Sequence, residues 1–143
     1  MDVIRIILAT LVGTTLMTAF SYLISNAFNK LYKEPVLLNY LLQFLGINMR
    51  DNVKRLAGWA IHYIIGLLFV VIYDILWQYV IDFSWLSGII FGMISGIIGI
   101  ISWIFMFKIP NDQLNIDYKG YYTQLFFAHI IFALGVVIVY KLY

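Results

Sequence analysis

The chain has no cysteine and only two prolines in 143 residues. Without cysteine it cannot form a disulfide, a thiolate metal site or a cysteine nucleophile. Charged residues are also scarce, at 11%, whereas hydrophobic residues reach 64% and the mean hydropathy is +0.95. A soluble domain of this size needs more polar surface to cover its core, and an aromatic content of 18% excludes disorder. The composition therefore predicts one compact membrane domain that comprises residues 1–143.

A strong net charge and a catalytic motif are missing as well. The formal net charge is only +2, and the basic residues are spread through loops, so nucleic acid is not expected as a partner. The sequence contains no HExxH, no GxSxG and no glycine-rich phosphate-binding loop. We therefore expect a protein that is not an enzyme and whose principal partner is the lipid bilayer.

Four apolar segments are long enough to cross a bilayer, at residues 4–25, 56–80, 85–107 and 121–142. About 20 residues, at about 1.5 Å per residue, span the roughly 30 Å of hydrocarbon. The first segment lacks the basic start and the small-residue cleavage site of a signal peptide, so we expect it to be retained. The sequence thus predicts an all-α membrane protein with four transmembrane helices in a bundle.

A fifth apolar stretch, near residues 36–47, is too short to span. Pro35 suits the first turn of a helix and Gly46 suits its end. Asn39 and Gln43 lie four residues apart and form a narrow polar stripe. We expect a short helix that lies in the membrane interface or docks against the bundle, with a lipid-sensing segment as the alternative.

Basic residues are concentrated on one side of the predicted spans. Seven lie between spans one and two or between spans three and four, and two lie on the other side. The positive-inside rule therefore places both long loops in the cytoplasm and both termini outside. The seven are Lys30, Lys33, Arg50, Lys54, Arg55, Lys108 and Lys119, and the two are Arg5 and Lys141.

The only two histidines lie in segments that align with each other, residues 60–76 and 128–143. A two-helix unit returns the chain to its starting side, so such copies would be parallel hairpins related by an axis along the membrane normal. The sequence therefore predicts two tandem helical hairpins. The aligned pairs are His62 with His129, Gly66 with Ala133, Tyr73 with Tyr140, and Asp74 with Lys141. The last pair carries opposite charges and is expected to pair across the axis or to reach water separately.

Small residues mark two of the spans. Glycine recurs along span three, and hydroxyl side chains recur along span one. A ridge of small residues lets a neighbouring backbone approach closely, and the hydroxyls can bond to carbonyls of their own helix. We expect a helix of the same chain to cover the glycine ridge, with a homodimer contact or the wall of a flat ligand site as alternatives. The ridge comprises Gly88, Gly92, Gly96 and Gly99 beside Ser95, and the hydroxyl stripe comprises Thr10, Thr14, Thr18, Ser21 and Ser25.

An ionisable residue inside a span is costly, which makes both histidines candidate site residues. His62 and His129 lie at similar depths, roughly 9–12 Å from the cytoplasmic ends at about 1.5 Å per residue. Two imidazoles so placed can bind a b-type haem on both axial positions, with Gly66 leaving room and Arg55 near a propionate. The alternatives are a proton or small-ligand site, or structural hydrogen bonds to hydroxyls of neighbouring helices. Those hydroxyls belong to Thr18, Ser21, Ser95 and Ser102.

Several of these elements together resemble an uncharacterised family of small four-helix bacterial inner-membrane proteins of about this length. They are Thr14-Thr15-x-Met17-Thr18, His62-x3-Gly66, the glycine ladder that ends in Trp103, and His129-x10-Tyr140. The resemblance covers nearly the whole chain. It implies the four-helix architecture and the two helix-borne histidines, and it implies no activity.

Two classes of function follow. The first is a non-enzymatic membrane protein, either an accessory subunit of a homo-oligomer or membrane complex, or a binder of lipid or another apolar ligand. The second is a small b-type haem or redox protein that uses His62 and His129.

Overall fold

The computed structural model describes residues 2–47, 50–110 and 114–143, and within these ranges the chain is all-helical without strands. Four of its five helices are long and apolar enough to cross a membrane, and they lie where the four spans were predicted. The fifth is the predicted short helix, which begins two residues earlier and ends three residues earlier than expected. The helices are α1 Val3–Phe28, α2 Glu34–Phe44, α3 Asp51–Tyr79, α4 Trp85–Met106 and α5 Tyr118–Leu142.

Helix α5 lies at the centre of the five-helix assembly that this single chain forms, and it packs along both α1 and α4. Small residues allow both contacts. Gly13 of α1 meets Gly135 of α5 so closely that a Cβ on Gly135 would lie 3.1 Å from the Gly13 Cα. Such close approach is how helices gain packing energy where no hydrophobic force drives them together.

The glycine ridge of α4 faces α5 and is covered by it, as predicted. A Cβ on Gly92 would lie 2.9 Å from the Cα of Ile130, and one on Gly96 would lie 3.2 Å from the Cα of Phe126. The hydroxyl stripe of α1 is also buried, and its back-bonding prediction is confirmed at Thr10 and Thr18. Both small-residue faces therefore serve packing within this chain.

Helices α3 and α4, by contrast, have few backbone contacts with each other. Polar and aromatic side chains join them near the chain termini: the hydroxyls of Tyr73 and Ser95 lie 2.6 Å apart, and the Trp77 indole donates to Ser87 at 3.0 Å. In two exact tandem hairpins, α1 corresponds to α4 and α3 corresponds to α5. The contact between α3 and α4 would then be as close as the contact between α1 and α5. The packing lends the internal repeat no support, and the repeat stays a prediction.

The outer faces of the long helices carry large apolar side chains. On α3, for example, Ile64, Leu68 and Ile72 are all exposed. Exposed apolar surface on this scale is typical of a protein that contacts lipid. The surface and the four apolar helices suit a multi-pass membrane protein.

A buried charge cluster closes the end of the assembly that holds both termini. Asp74 is 1% exposed; it accepts hydrogen bonds from Tyr140 at 2.8 Å and from Gln78, and it pairs with Arg5 at 3.4 Å. Of the two alternatives for Asp74 and Lys141, the pairing across the axis is therefore wrong, and Lys141 reaches the surface separately. Lys141 is exposed, and its Nζ lies 5.2 Å from the centre of the Trp85 ring. The cation beside Asp74 is Arg5, which the first turn of α1 brings to the carboxylate.

Candidate functional site

A cavity of about 290 Å³ lies between α3 and α4, where their backbones separate. It occupies the half of the assembly nearer α2, and it reaches the surface at the exposed Ile65 and Ser102. Most of its wall is apolar, as is usual for small-molecule sites. The apolar wall residues are Met17, Leu38, Ile65, Phe69, Trp103, Met106, Leu125 and Phe132.

His62 and His129 both line this cavity, and each is 6% exposed. The fold therefore brings the two candidate histidines to one shared pocket. His62 stands on α3 and His129 on α5, so the two imidazoles approach the cavity from different helices. Cofactor binding by these two histidines stays a prediction.

The hydrogen bonds of His62 fix its neutral tautomer. Its Nε2 lies 3.0 Å from the Thr18 hydroxyl, which donates its only proton to the carbonyl of Thr14 at 2.7 Å. Both bonds form together only if His62 donates from Nε2, because the hydroxyl has no second proton. The Nδ1 atom then carries a lone pair, and it has no hydrogen-bond partner among the residues that the structure describes. Thr18 was one of the hydroxyl partners predicted from the sequence.

The hydrogen bonds of His129 fix the opposite tautomer. Its Nδ1 lies 2.9 Å from the carbonyl oxygen of Leu125, which can only accept. The lone pair therefore resides on Nε2, which faces α4 at Gly99. A Cβ on Gly99 would lie 3.0 Å from Nε2 and 2.7 Å from Cε1. The absence of a side chain at Gly99 is what leaves this nitrogen accessible.

Glu34, the only glutamate of the chain, also lines the cavity. It lies in the first turn of α2 and is 1% exposed. Its Oε1 accepts hydrogen bonds from Ser21 at 2.7 Å and from Gln124 at 3.2 Å, while Oε2 is buried without a partner among the described residues. Burial raises the pKa of Glu34 to about 7, against the opposing effect of hydrogen bonds from Ser21, from its own backbone and from Gln124.

The turn between α1 and α2 delivers Glu34 to this position. Asn29 ends α1 in the left-handed region, with φ 50°, which asparagine tolerates better than most residues. Ser25 donates to the carbonyl of Lys30 and accepts from the amide of Tyr32, so the chain folds back toward α1. Tyr32 then donates to Asp117, the N-cap of α5, at 2.9 Å. The hydrogen bonds within this turn and the bond from Tyr32 to Asp117 thus hold the start of α2 against α1 and α5.

Further buried polar atoms near Glu34 also lack partners among the described residues: the Tyr121 hydroxyl and the Gln124 Oε1. Buried polar atoms in native proteins are usually hydrogen-bonded, so unpaired ones call for an explanation such as a ligand. In residues 2–47, 50–110 and 114–143, however, no three His, Asp or Glu residues lie close enough together to hold a metal ion. The arrangement suits a small molecule with a polar head better than a bare metal.

Sequence reasoning missed Glu34 and Gln124. Gln124 is an amide inside the fourth span, and it could have been flagged together with Ser21 as a candidate partner for a buried carboxylate. The expected propionate partner Arg55 does not line the cavity: it is exposed and donates to Asn52 at 3.1 Å.

Comparison of the chain with protein-family models, with curated proteins and with solved structures gives no match. The helices are compatible with a multi-pass membrane protein. The feature that bears on a more specific function is the cavity.

Proposed function

We propose that this chain is a non-enzymatic protein of the bacterial inner membrane that binds an apolar or lipid-like ligand between α3 and α4. The observation that carries the proposal is the apolar cavity into which His62, His129 and Glu34 all project from different helices. An apolar pocket with a few convergent polar groups is the usual form of a small-molecule site. The apolar wall holds the body of the ligand, and the polar groups orient its head.

The size of the cavity limits how much of a ligand it encloses. At ~30 Å³ for each water-sized group, about 290 Å³ accommodates on the order of ten such groups. That is a head group and the first part of a hydrocarbon chain. The rest of a longer hydrocarbon chain would extend past Ile65 and Ser102, at the opening of the cavity, into the surrounding lipid.

The positive-inside distribution places the α2 end of the assembly in the cytoplasm and both termini outside. In this orientation the cavity lies in the cytoplasmic half of the membrane. A ligand would then enter sideways from the cytoplasmic leaflet, between α3 and α4, without passing through water.

Thermal unfolding of the purified protein in micelles tests ligand binding. A ligand that binds only the folded state stabilises it by about 2.7 kcal/mol at 100 times its Kd, so the unfolding temperature should rise when medium-chain amphiphiles are added. Ser102→Trp adds bulk at the exposed rim and should abolish the rise. Ile101→Trp places the same ring on the neighbouring exposed position, outside the cavity wall, and should retain it. Equal responses of both variants would refute the site.

The two free imidazole nitrogens favour one second candidate, a b-type haem bound by His62 and His129. A haem is larger than about 290 Å³ allows, and Gly99 holds α4 close to His129 Nε2, so α4 would have to move outward. The absorbance spectrum after expression with abundant haem decides this case. A Soret band with sharp α and β bands on reduction supports it, and a featureless spectrum removes it.

A further inference from the structure

The cavity presents hydrogen-bond acceptors from three helices. Tautomer assignment leaves a lone pair on His62 Nδ1 and another on His129 Nε2, and Glu34 Oε2 is unpartnered among the described residues. The remaining polar groups of the wall include the Thr14 hydroxyl and the Trp103 indole, both uncharged. The site therefore has more free hydrogen-bond acceptors than donors, and a ligand that donates hydrogen bonds would fit it best.

Glu34 adds a requirement for positive charge. In the described ranges the one salt bridge joins Arg5 to Asp74 at the opposite end of the assembly. The neighbouring Lys33 forms no such bridge with Glu34, and its Nζ lies 4.8 Å from the centre of the Tyr22 ring. An ionised carboxylate that is buried without a cation is costly, because it loses its hydration and gains no opposite charge in return. A cation bound beside Glu34 would remove that cost.

Taken together, and on the basis of the function proposed above, we infer that the ligand is a lipophilic ammonium compound whose charged head pairs with the Oε2 of Glu34. An ammonium group carries three donors and one positive charge, so it can pair with the carboxylate and still donate to a neighbouring acceptor of the cavity. A neutral hydroxyl head offers one donor and no charge. A carboxylate or phosphate head is repelled by Glu34 and finds only the two uncharged donors.

Protons compete with such a ligand. The titratable groups around Glu34 are Tyr22 on α1, His62 on α3, and Tyr121 and His129 on α5. Burial raises the pKa of Glu34 to about 7 in the free protein, so below that pH a proton must leave before an ammonium group can pair with the carboxylate. The affinity should therefore fall by about tenfold per unit as the pH decreases below about 7, and should level off above it.

Calorimetric titration of the full chain in phosphatidylcholine nanodiscs tests the inference with three ligands of equal chain length: octylamine, octyltrimethylammonium and octanol. Empty nanodiscs provide the correction for partitioning into lipid. We expect octylamine to bind at least tenfold tighter than octanol. Octyltrimethylammonium, which has the charge without N–H donors, should bind with intermediate affinity.

Variants locate the effect at Glu34. Glu34→Gln should reduce the affinity for octylamine to that for octanol and remove the pH dependence, while octanol binding stays unchanged. Asp82→Asn removes an exposed carboxylate elsewhere and should change neither. The ligand series on the unmodified protein remains informative if Glu34→Gln fails to fold.

The outcomes separate this inference from the function that it rests on. Equal affinity for octanol and octylamine overturns the ammonium assignment and leaves apolar-ligand binding in place. If no member of the series binds to folded protein, both proposals fall. Octylamine binding that is indifferent to Glu34→Gln also overturns the assignment, because the charge would then be recognised elsewhere.

Discussion

Replacement of Glu34 by glutamine should stabilise the free protein at neutral pH and leave it unchanged in acid. Glutamine keeps an oxygen that accepts from Ser21 and Gln124, and it resembles the protonated acid in shape. Burial raises the pKa of Glu34 from 4.5 to about 7. The folded state therefore binds a proton that the unfolded chain releases between these values.

The sign and size of the effect follow from this difference. Stability falls with rising pH wherever the folded state binds more protons, so the wild-type protein loses stability from about pH 4.5 to about pH 7 and not above. At about 1.36 kcal/mol per pKa unit, the loss is on the order of 3 kcal/mol. Glu34→Gln should match the wild type near pH 4.5 and exceed it by this amount above pH 7.

Urea unfolding in maltoside micelles, followed by tryptophan fluorescence from pH 4.5 to 8, measures the difference. Both proteins contain the two histidines, so subtraction of the two curves isolates Glu34. Asp82→Asn serves as the control because Asp82 is exposed, and its curve should parallel the wild type. A difference between wild type and Glu34→Gln that is constant over this range would refute the assignment of a raised pKa to Glu34.

Three further predictions concern packing, hydrogen bonding and topology. Gly92→Leu forces α4 from α5 and should lower the free energy of unfolding by about 1–3 kcal/mol, whereas Met93→Leu on the exposed face should not; equal stability of the two variants would contradict the packing role. Thr18→Val leaves the N–H of His62 without its acceptor and should cost about 1–3 kcal/mol in the same unfolding assay; the exposed Thr123→Val, which removes only a bond to a carbonyl of its own helix, is its control, and an equal loss there would refute the bond. A C-terminal fluorescent protein that matures only in the cytoplasm should stay dark, and bright cells would reverse the proposed orientation.

The sequence predicted the elements whose information is local. Hydropathy over about 20 residues located the four spans, and Pro35 with Gly46 located α2, where Gly46 follows the helix end with φ 73°. The four-residue spacing of glycines predicted a covered face of α4. These features are visible in sequence because each depends on one helix and its own periodicity.

The site depended on contacts between distant segments. Thr18 was foreseen as a histidine partner because it lies in a stripe of hydroxyls within a span. Glu34 was not, because it adjoins Lys33 in a loop and nothing local shows that α2 carries it inward to Ser21 and Gln124. Asp74 likewise pairs with Arg5 and not with Lys141 because of the way α1 packs against α3, and the sequence pattern does not contain that packing.

The position of α5 explains why a cavity occurs where it does. Since α5 takes both α1 and α4 as close neighbours, α3 is held mainly by α1 and by α2. Its remaining side faces α4 across a gap that is bridged near the termini by Tyr73 with Ser95 and opens toward α2. The wall atoms of such a gap lack the dispersion contacts that packed neighbours supply. A ligand seated there would restore those contacts and pair with the buried acceptors, so its binding should both stabilise the protein and draw α3 and α4 together.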